Sequence, residues 1–282
     1  MARRRRDVEI LSVDSMSVYR ELDLGTAKPT PAVREEIPHH LIDLVDPAEE
    51  FTVAQYQAAA RQVLVSVEGR GQRPLLVGGT GLYVRAVVDD LSLPGRWPAV
   101  RRALEADAVS PDGLAALYGR LLDLDPVAAS RTTPSNERRI VRALEVTLGS
   151  GRPFSSFGPG LERYPPTRFA MVGLRFDAPV VDRRIEERFG AWMEAGLLDE
   201  VRRLAARPAG LSKTARQALG YKELLAHIEG PLSLEAAAAE AVRRTRSFAR
   251  RQWAWFRRDP RICWVDTHDE AVGALLGPLG TG

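Results

Sequence analysis

The spacing of apolar positions changes along the chain and divides it into a body and an insert. Residues 8–13, 74–77 and 169–176 are short apolar runs that read as buried parallel strands. Between the first two, Thr52 stands as a cap before Val53, Tyr56, Ala60, Val63 and Val67, which step by three and four; Gly69 and Gly71 then end that helix. A second long helical pattern covers residues 180–204, with Ile185, Phe189, Trp192 and Met193 on one side, and breaks at Pro208-Ala209-Gly210. Strand, helix, strand order predicts an α/β domain with a mostly parallel sheet. From about Trp97 to Pro166 the pattern turns helical and polar, cut by Ser110-Pro111-Asp112-Gly113, Thr133-Pro134-Ser135-Asn136 and Gly149-Ser150-Gly151. The expected organisation is a core α/β domain in two parts, residues 1–97 and 166–282, around a helical insertion at 98–165.

Composition narrows the class. With 282 residues, 45% hydrophobic and 27% charged, the chain can bury a core and has the usage of a globular protein. No apolar stretch approaches the roughly 18 residues of a membrane span, so no membrane is expected. Cys263 is the sole cysteine, which excludes an internal disulfide or a cysteine-built zinc site and fits a cytoplasmic protein. The basic start, Met1 to Arg6, runs into Asp7-Val8-Glu9 rather than a secretory apolar segment. Only Lys28, Lys213 and Lys222 are lysines, so arginine carries almost all the positive charge behind the net +3. The planar arginine fork suits phosphate and base edges, although genome composition also raises arginine.

Ligands of open parallel sheets bind beyond the carboxyl ends of the strands. Asp14 follows the first apolar run, and Gly78-Gly79-Thr80-Gly81-Leu82-Tyr83 follows the second; if the strands are neighbours, Asp14 and Thr80 share one crevice. A carboxylate there can accept a proton, and the glycines allow close ligand approach. The bland alternatives are a turn cap for Asp14 and a plain tight turn for the glycines. On an ideal helix over residues 242–258, Arg243, Arg246, Arg250 and Arg257 form a stripe with Arg244, Arg251 and Arg258 beside it, and no acid interrupts them. A one-sign face suits a phosphate backbone better than a solvated helix, which mixes signs. Arg138, Arg139 and Arg142 form a smaller cluster. His39 and His40 point apart on an extended segment and are assigned structure. Tyr83, Trp192 and Trp255 could stack on bases, with core packing the commoner fate.

The wording around these positions resembles the tRNA dimethylallyltransferase family. Asp14-Ser15-Met16-Ser17-Val18-Tyr19-Arg20, Asp23-Leu24-Gly25-Thr26-Ala27-Lys28-Pro29, Pro38-His39-His40-Leu41-Ile42-Asp43 and Gly78-Gly79-Thr80-Gly81-Leu82-Tyr83 carry the likeness. So do Asn136-Glu137-Arg138-Arg139-Ile140-Val141-Arg142-Ala143-Leu144-Glu145, Ala195-Gly196-Leu197-Leu198-Asp199-Glu200-Val201, Gly220-Tyr221-Lys222-Glu223 and residues 245–257. The resemblance implies a P-loop-NTPase-like parallel sheet flanked by helices. It implies Mg2+-assisted transfer of a dimethylallyl group from dimethylallyl diphosphate to the exocyclic amine of the adenosine 3′-adjacent to the tRNA anticodon. Carried over by position, Asp14 resembles the general base, and Thr80 and Arg101 resemble contacts near the target nucleotide. Arg216 resembles the arginine that neutralises diphosphate. Asp14, Ser15, Met16, Ser17, Arg138, Arg139, Arg142, Arg243, Arg246, Arg250 and Arg251 match segments that contact tRNA. An amine is a weak nucleophile and diphosphate a charged leaving group, so the reaction needs proton uptake on one side and a positive group on the other. The chain is expected to act as a monomer, and charge reversal at Arg246 and Arg250 to weaken tRNA binding and flatten its salt dependence.

Two departures stand out. No glycine-rich loop ending in Gly-Lys-Ser or Gly-Lys-Thr occurs among these residues, and the family's first strand is missing with it. A downstream start or a fragment is the expectation, with the absent strand belonging beside the first strand here and the 282 residues poorly stable and almost inactive alone. Thr133 and Glu137 also stand where the family usually has histidine and aspartate. The competing readings are a prenyltransferase of free adenine nucleotides and a non-catalytic tRNA-binding remnant.

Overall fold

The structure is a computed structural model and describes residues 2–158 and 160–276. The chain forms two compact units, one of residues 1–88 and 166–282, the other of residues 89–165.

The first unit is built on parallel strands. β1 (Val8–Val13) lies between β2 (His39–His40) and β3 (Arg73–Gly78), with Val8 opposite Arg73 and Val13 opposite Gly78. Val8, Leu11 and Val13 are buried, while the buried Glu9 carboxylate takes His40 Nε2 at 2.6 Å and Arg70 Nη2 at 2.7 Å. His39 Nδ1 instead meets Ile37 O at 2.7 Å, so the two histidines serve separate structural contacts. The short helix α1 (Pro31–Glu36) precedes β2. α2 (Val53–Gly69) starts at Thr52 with a full capping box, Gln55 answering the cap, and ends where Gly71 adopts φ +71°. Its buried positions are Tyr56, Gln57, Ala60, Leu64 and Val67. Tyr56 donates to Ser12 O at 2.7 Å and stacks on Tyr83 of α3 (Gly81–Val88), with ring centroids 4.2 Å apart; Tyr83 is thus a core residue.

A second parallel pair, β4 (Met171–Leu174) with β5 (Ile262–Val265), follows in this unit. The Ile262-Cys263-Trp264-Val265 strand is only four residues long, too short a run for its apolar pattern to predict it. β1 is hydrogen-bonded on both flanks, and β3 forms one margin of this sheet, where Val77 is 49% exposed. The long helical pattern over residues 180–204 divides into α8 (Ala178–Glu194) and α9 (Leu197–Ala205), because Gly196 takes φ +97° and turns the chain between them.

The second unit is helical: α4 (Pro98–Ala108), α5 (Gly113–Leu124), α6 (Pro126–Ser130) and α7 (Glu137–Ser150) close around Leu104, Leu117, Leu121, Ile140 and Leu144. Asp125 caps α6 by accepting from Ala128 N at 2.9 Å, and Asn136 caps α7 through Arg139 N at 3.2 Å. The unit takes in residues before 98 because Trp97 N donates to the buried Glu145 at 2.9 Å, while the Trp97 ring fills the space a side chain at Gly149 would need. The body resumes with α8 and α9 and then α10 (Tyr221–Glu229), α11 (Leu234–Phe256) and α12 (His268–Leu276). No helix among the described residues is long and apolar enough to cross a membrane.

Candidate active site

Parallel pairing of β1 and β3 brings Asp14 and Thr80 to the same end of the sheet, one residue past β1 and two past β3. The Thr80 N–H donates to Val13 O at 3.3 Å; its Oγ1 accepts from Ser15 N at 3.1 Å and lies 3.4 Å from Ser15 Oγ. Asp14 Oδ1 accepts from Met16 N at 2.7 Å and Ser17 N at 3.3 Å. Asp14 is therefore a turn cap through one of its two oxygens, and the other has no protein partner among the described residues. Ser17 Oγ sits 2.9 Å from Ser12 Oγ, so Ser15, Met16 and Ser17 form a tight backbone hook under the carboxylate.

The hook is anchored by residues that carry no obvious chemistry in the sequence. Asp43 N donates to Ser17 O at 3.1 Å and Val45 N to Val18 O at 3.1 Å. Lys28, with its side chain 1% exposed, donates to Tyr19 O at 2.6 Å, Asp43 at 2.6 Å and Asp23 at 2.8 Å. Burial opposes ionisation of Asp43, but the Lys28 and Arg34 bonds outweigh it and hold its carboxyl below the usual range. Glu200 on α9 accepts from Asp23 N at 3.0 Å and from Tyr221 OH at 2.5 Å, and that phenol accepts from Gly25 N at 3.0 Å. Burial first, and Glu200 second, raise the Tyr221 pKa and keep it a neutral donor. The signals for Lys28 in the sequence are its rarity among arginines and its place in the Asp23-to-Pro29 segment.

The glycine turn serves a different neighbour from the one expected. A side-chain carbon at Gly78 would lie 2.2 Å from Val13 O, at Gly79 2.2 Å from Gln252 Nε2, and at Gly81 2.3 Å from Trp255 Nε1. Residues of α11, rather than open space for a ligand, occupy the approach to Gly79 and Gly81.

Arg216 lies on a single 3-10 turn, Ala215–Gln217, and its guanidinium pairs with Glu229. No hydrogen bond joins it to Asp14 or Thr80. Nearby in the chain, a cleft of about 400 Å³ is lined by Gln217, Leu219, Lys222, Arg243, Arg244, Ser247 and Arg251, all from α10, α11 and the turn before α10. The stripe on α11 is not free of acids, because tertiary packing and the helix's own preceding turns supply them. Arg246 pairs with Glu186 of α8 and lies 3.8 Å from Asp182, Arg250 is 3.8 Å from Asp182, and Arg243 and Arg244 bind Glu240 at 2.6 Å. Those two arginines pull the Glu240 carboxyl down to about 2. Among the described residues, Arg251, Arg257 and Arg258 have no acidic partner. Trp192 faces Arg188, 5.7 Å from ring centroid to guanidinium carbon.

In the helical unit, Arg101 and Arg142 converge on Glu145, at 3.4 Å and 3.0 Å, and Arg142 also donates to Pro94 O at 2.9 Å. Arg138 and Arg139 are exposed at the start of α7 with no acidic partner among the described residues.

The body is a parallel α/β fold with a carboxylate and a hydroxyl beyond adjacent strand ends, the position at which open parallel sheets generally take ligands, and with an arginine-lined cleft on its helices. The sequence model of the IPP transferase family matches residues 17–259. The tRNA dimethylallyltransferase of Pseudarthrobacter chlorophenolicus is 47% identical over 273 residues, covering 97% of this chain and 90% of that protein. The crystal structure of the full-length tRNA isopentenylpyrophosphate transferase from Bacillus halodurans matches with TM-score 0.67 and 37% identity, over 96% of this chain and 86% of that one. A eukaryotic dimethylallyltransferase acting on tRNA, 24% identical, shares the fold with TM-score 0.76 over 98% of this chain and 71% of its own. The chain belongs to the IPP transferase family.

Proposed function

We propose that this chain transfers a dimethylallyl group from dimethylallyl diphosphate to the exocyclic amine of the adenosine 3′-adjacent to the anticodon in tRNA. The observation that carries the reading is the Asp14 and Thr80 pair at one strand-end crevice, in a chain of which 97% aligns with a tRNA dimethylallyltransferase. The Asp14 oxygen left open by the turn takes the proton that the amine loses as it attacks the allylic carbon. Its partner oxygen is fixed by two backbone N–H groups, so the acceptor is oriented without reorganisation. The Thr80 hydroxyl, held against Ser15, borders the same space. Arg216 offers positive charge to the departing diphosphate on exchanging Glu229 for it.

A magnesium ion would neutralise charge on the diphosphate leaving group. No cluster of three or more acidic, histidine or cysteine side chains exists among the described residues. The Ser15 and Thr80 hydroxyls border the space in which a cation held by diphosphate oxygens and water would sit, which leaves the open Asp14 oxygen to the amine proton. The arginine-lined cleft and the exposed Arg138 and Arg139 support a polynucleotide substrate over a free nucleotide, which needs no extended phosphate track.

Incubation with labelled dimethylallyl diphosphate and either tRNA or free AMP tests the reading. Label in tRNA that falls by about 10²- to 10⁴-fold in Asp14→Asn would establish the transfer and overturn the expectation that residues 1–282 are almost inactive without the glycine-rich loop. Label in AMP alone would establish the nucleotide prenyltransferase, and tRNA binding without transfer would establish the binding remnant.

A further inference from the structure

The turn that presents Thr80 is held from outside by α11. Gln252 Nε2 donates to Gly79 O at 3.0 Å, and the Trp255 indole lies so close over Gly81 that no side chain fits beneath it. From Gly79 the path is short: Thr80 follows, its hydroxyl accepts from Ser15 N at 3.1 Å, and Ser15 follows Asp14. Gln252 is next to Arg251, which lines the arginine cleft and has no acidic partner among the described residues. One turn of one helix therefore presents a cleft arginine and grips the reacting turn.

We propose that Gln252 is a positioning residue for Thr80 and Asp14, and that Trp255 is the stop against which it holds the turn. The amide fits this task. It supplies the N–H that the Gly79 carbonyl would otherwise take from water, and at 3.0 Å it fixes the orientation of the peptide unit joining Gly79 to Thr80. A carboxylate in its place would repel the carbonyl, and a thioether would give no donor. The glycines at 79 and 81 are explained by the same contact, since any side chain there would displace Gln252 or strike the rigid indole.

This inference rests on the transferase reading for its kinetic test and has a second test that does not. In the full chain, Gln252→Met, which keeps length and removes the donor, is expected to lower kcat for prenyl transfer by roughly ten- to a hundredfold, with KM for tRNA within about twofold. Gly79→Ala is expected to lower kcat similarly, and the double variant to fall little further, because both act on one contact. Independently of activity, amide hydrogen exchange is expected to quicken in Gln252→Met at residues 13–17 and 78–82, with the core of α2 unchanged. Normal kcat with unchanged exchange would overturn the proposal. So would a rise in tRNA KM at constant kcat, which would make Gln252 a tRNA contact. A wild-type chain that transfers nothing would count against the transferase reading alone, leaving the exchange experiment to decide the role of Gln252.

Discussion

Two arginine-bearing helices, α7 of the helical unit and α11 of the body, manage the same charge in opposite ways. α7 tethers Arg142, along with Arg101 of α4, to a carboxylate buried in the interior, Glu145, and leaves Arg138 and Arg139 exposed at its first turn. α11 meets acids at the surface: Glu240 from its own second turn holds Arg243 and Arg244, Glu186 of α8 holds Arg246, and Asp182 of α8 faces both Arg246 and Arg250. In α7 the ion pair is part of the core, whereas in α11 it screens a face. A count of arginines along a helix thus overstates the charge offered to a phosphate backbone, and the surplus is carried by Arg138, Arg139, Arg251, Arg257 and Arg258.

The largest expected effect breaks the core side of this contrast. Glu145→Ala removes the buried acceptor shared by Arg142, Arg101 and the Trp97 N–H, leaving Arg101 only Glu105 and Arg142 only Pro94 O, and should lower unfolding stability by about 3 kcal/mol in urea denaturation. Glu240→Gln, on a partly exposed surface carboxylate, should leave the urea midpoint nearly in place; equal losses in the two variants would erase the distinction.

Next in size is the tRNA interface. Reversing Arg251 and Arg257 together should weaken tRNA binding by about tenfold or more near physiological salt and flatten the log–log salt slope by roughly 1.5. Reversing Arg246, already answered by Glu186, should cost a few-fold at most. A larger loss from Arg246 than from the free pair would show that the ion pairs open on binding. The converse is smaller: Asp182→Asn with Glu186→Gln uncovers Arg246 and Arg250 and should tighten tRNA binding about two- to threefold, measured by filter binding at fixed ionic strength.

The smallest effect is in acid. Asp43 and Asp259 both have folded pKa values below the ordinary aspartate value, burial being outweighed by Lys28 and Arg34 in one case and by Arg261 in the other. Their contribution to stability is complete above the unfolded pKa of about 3.9 and is lost as pH falls through the lower folded values. The thermal midpoint should therefore decline below about pH 4. Lys28→Met should make Asp43 titrate higher and start that decline at higher pH.

Local order decided much of this protein in advance. The spacing from Val53 to Val67, the Thr52 cap, the apolar runs at 8–13 and 74–77, and the turn clusters of the middle segment depend on neighbours a few residues away. The structure realises them as α2, β1, β3 and the helices of the second unit. The motifs at Asp14 and Thr80 were legible for the same reason, since strand ends mark ligand positions in parallel sheets. What the sequence left open are relations across long separations. Strand order put β1 inside the sheet, and Gly196 broke a helical pattern that periodicity alone ran through. Packing of α8 against α11 set acids on a face that seemed purely basic, and Gln252 and Trp255 came to lie on glycines far away in the chain. Hydrophobic spacing and capping are set by adjacent residues, whereas the partner of a buried charge or a glycine carbonyl is chosen only when distant segments compete for the same volume.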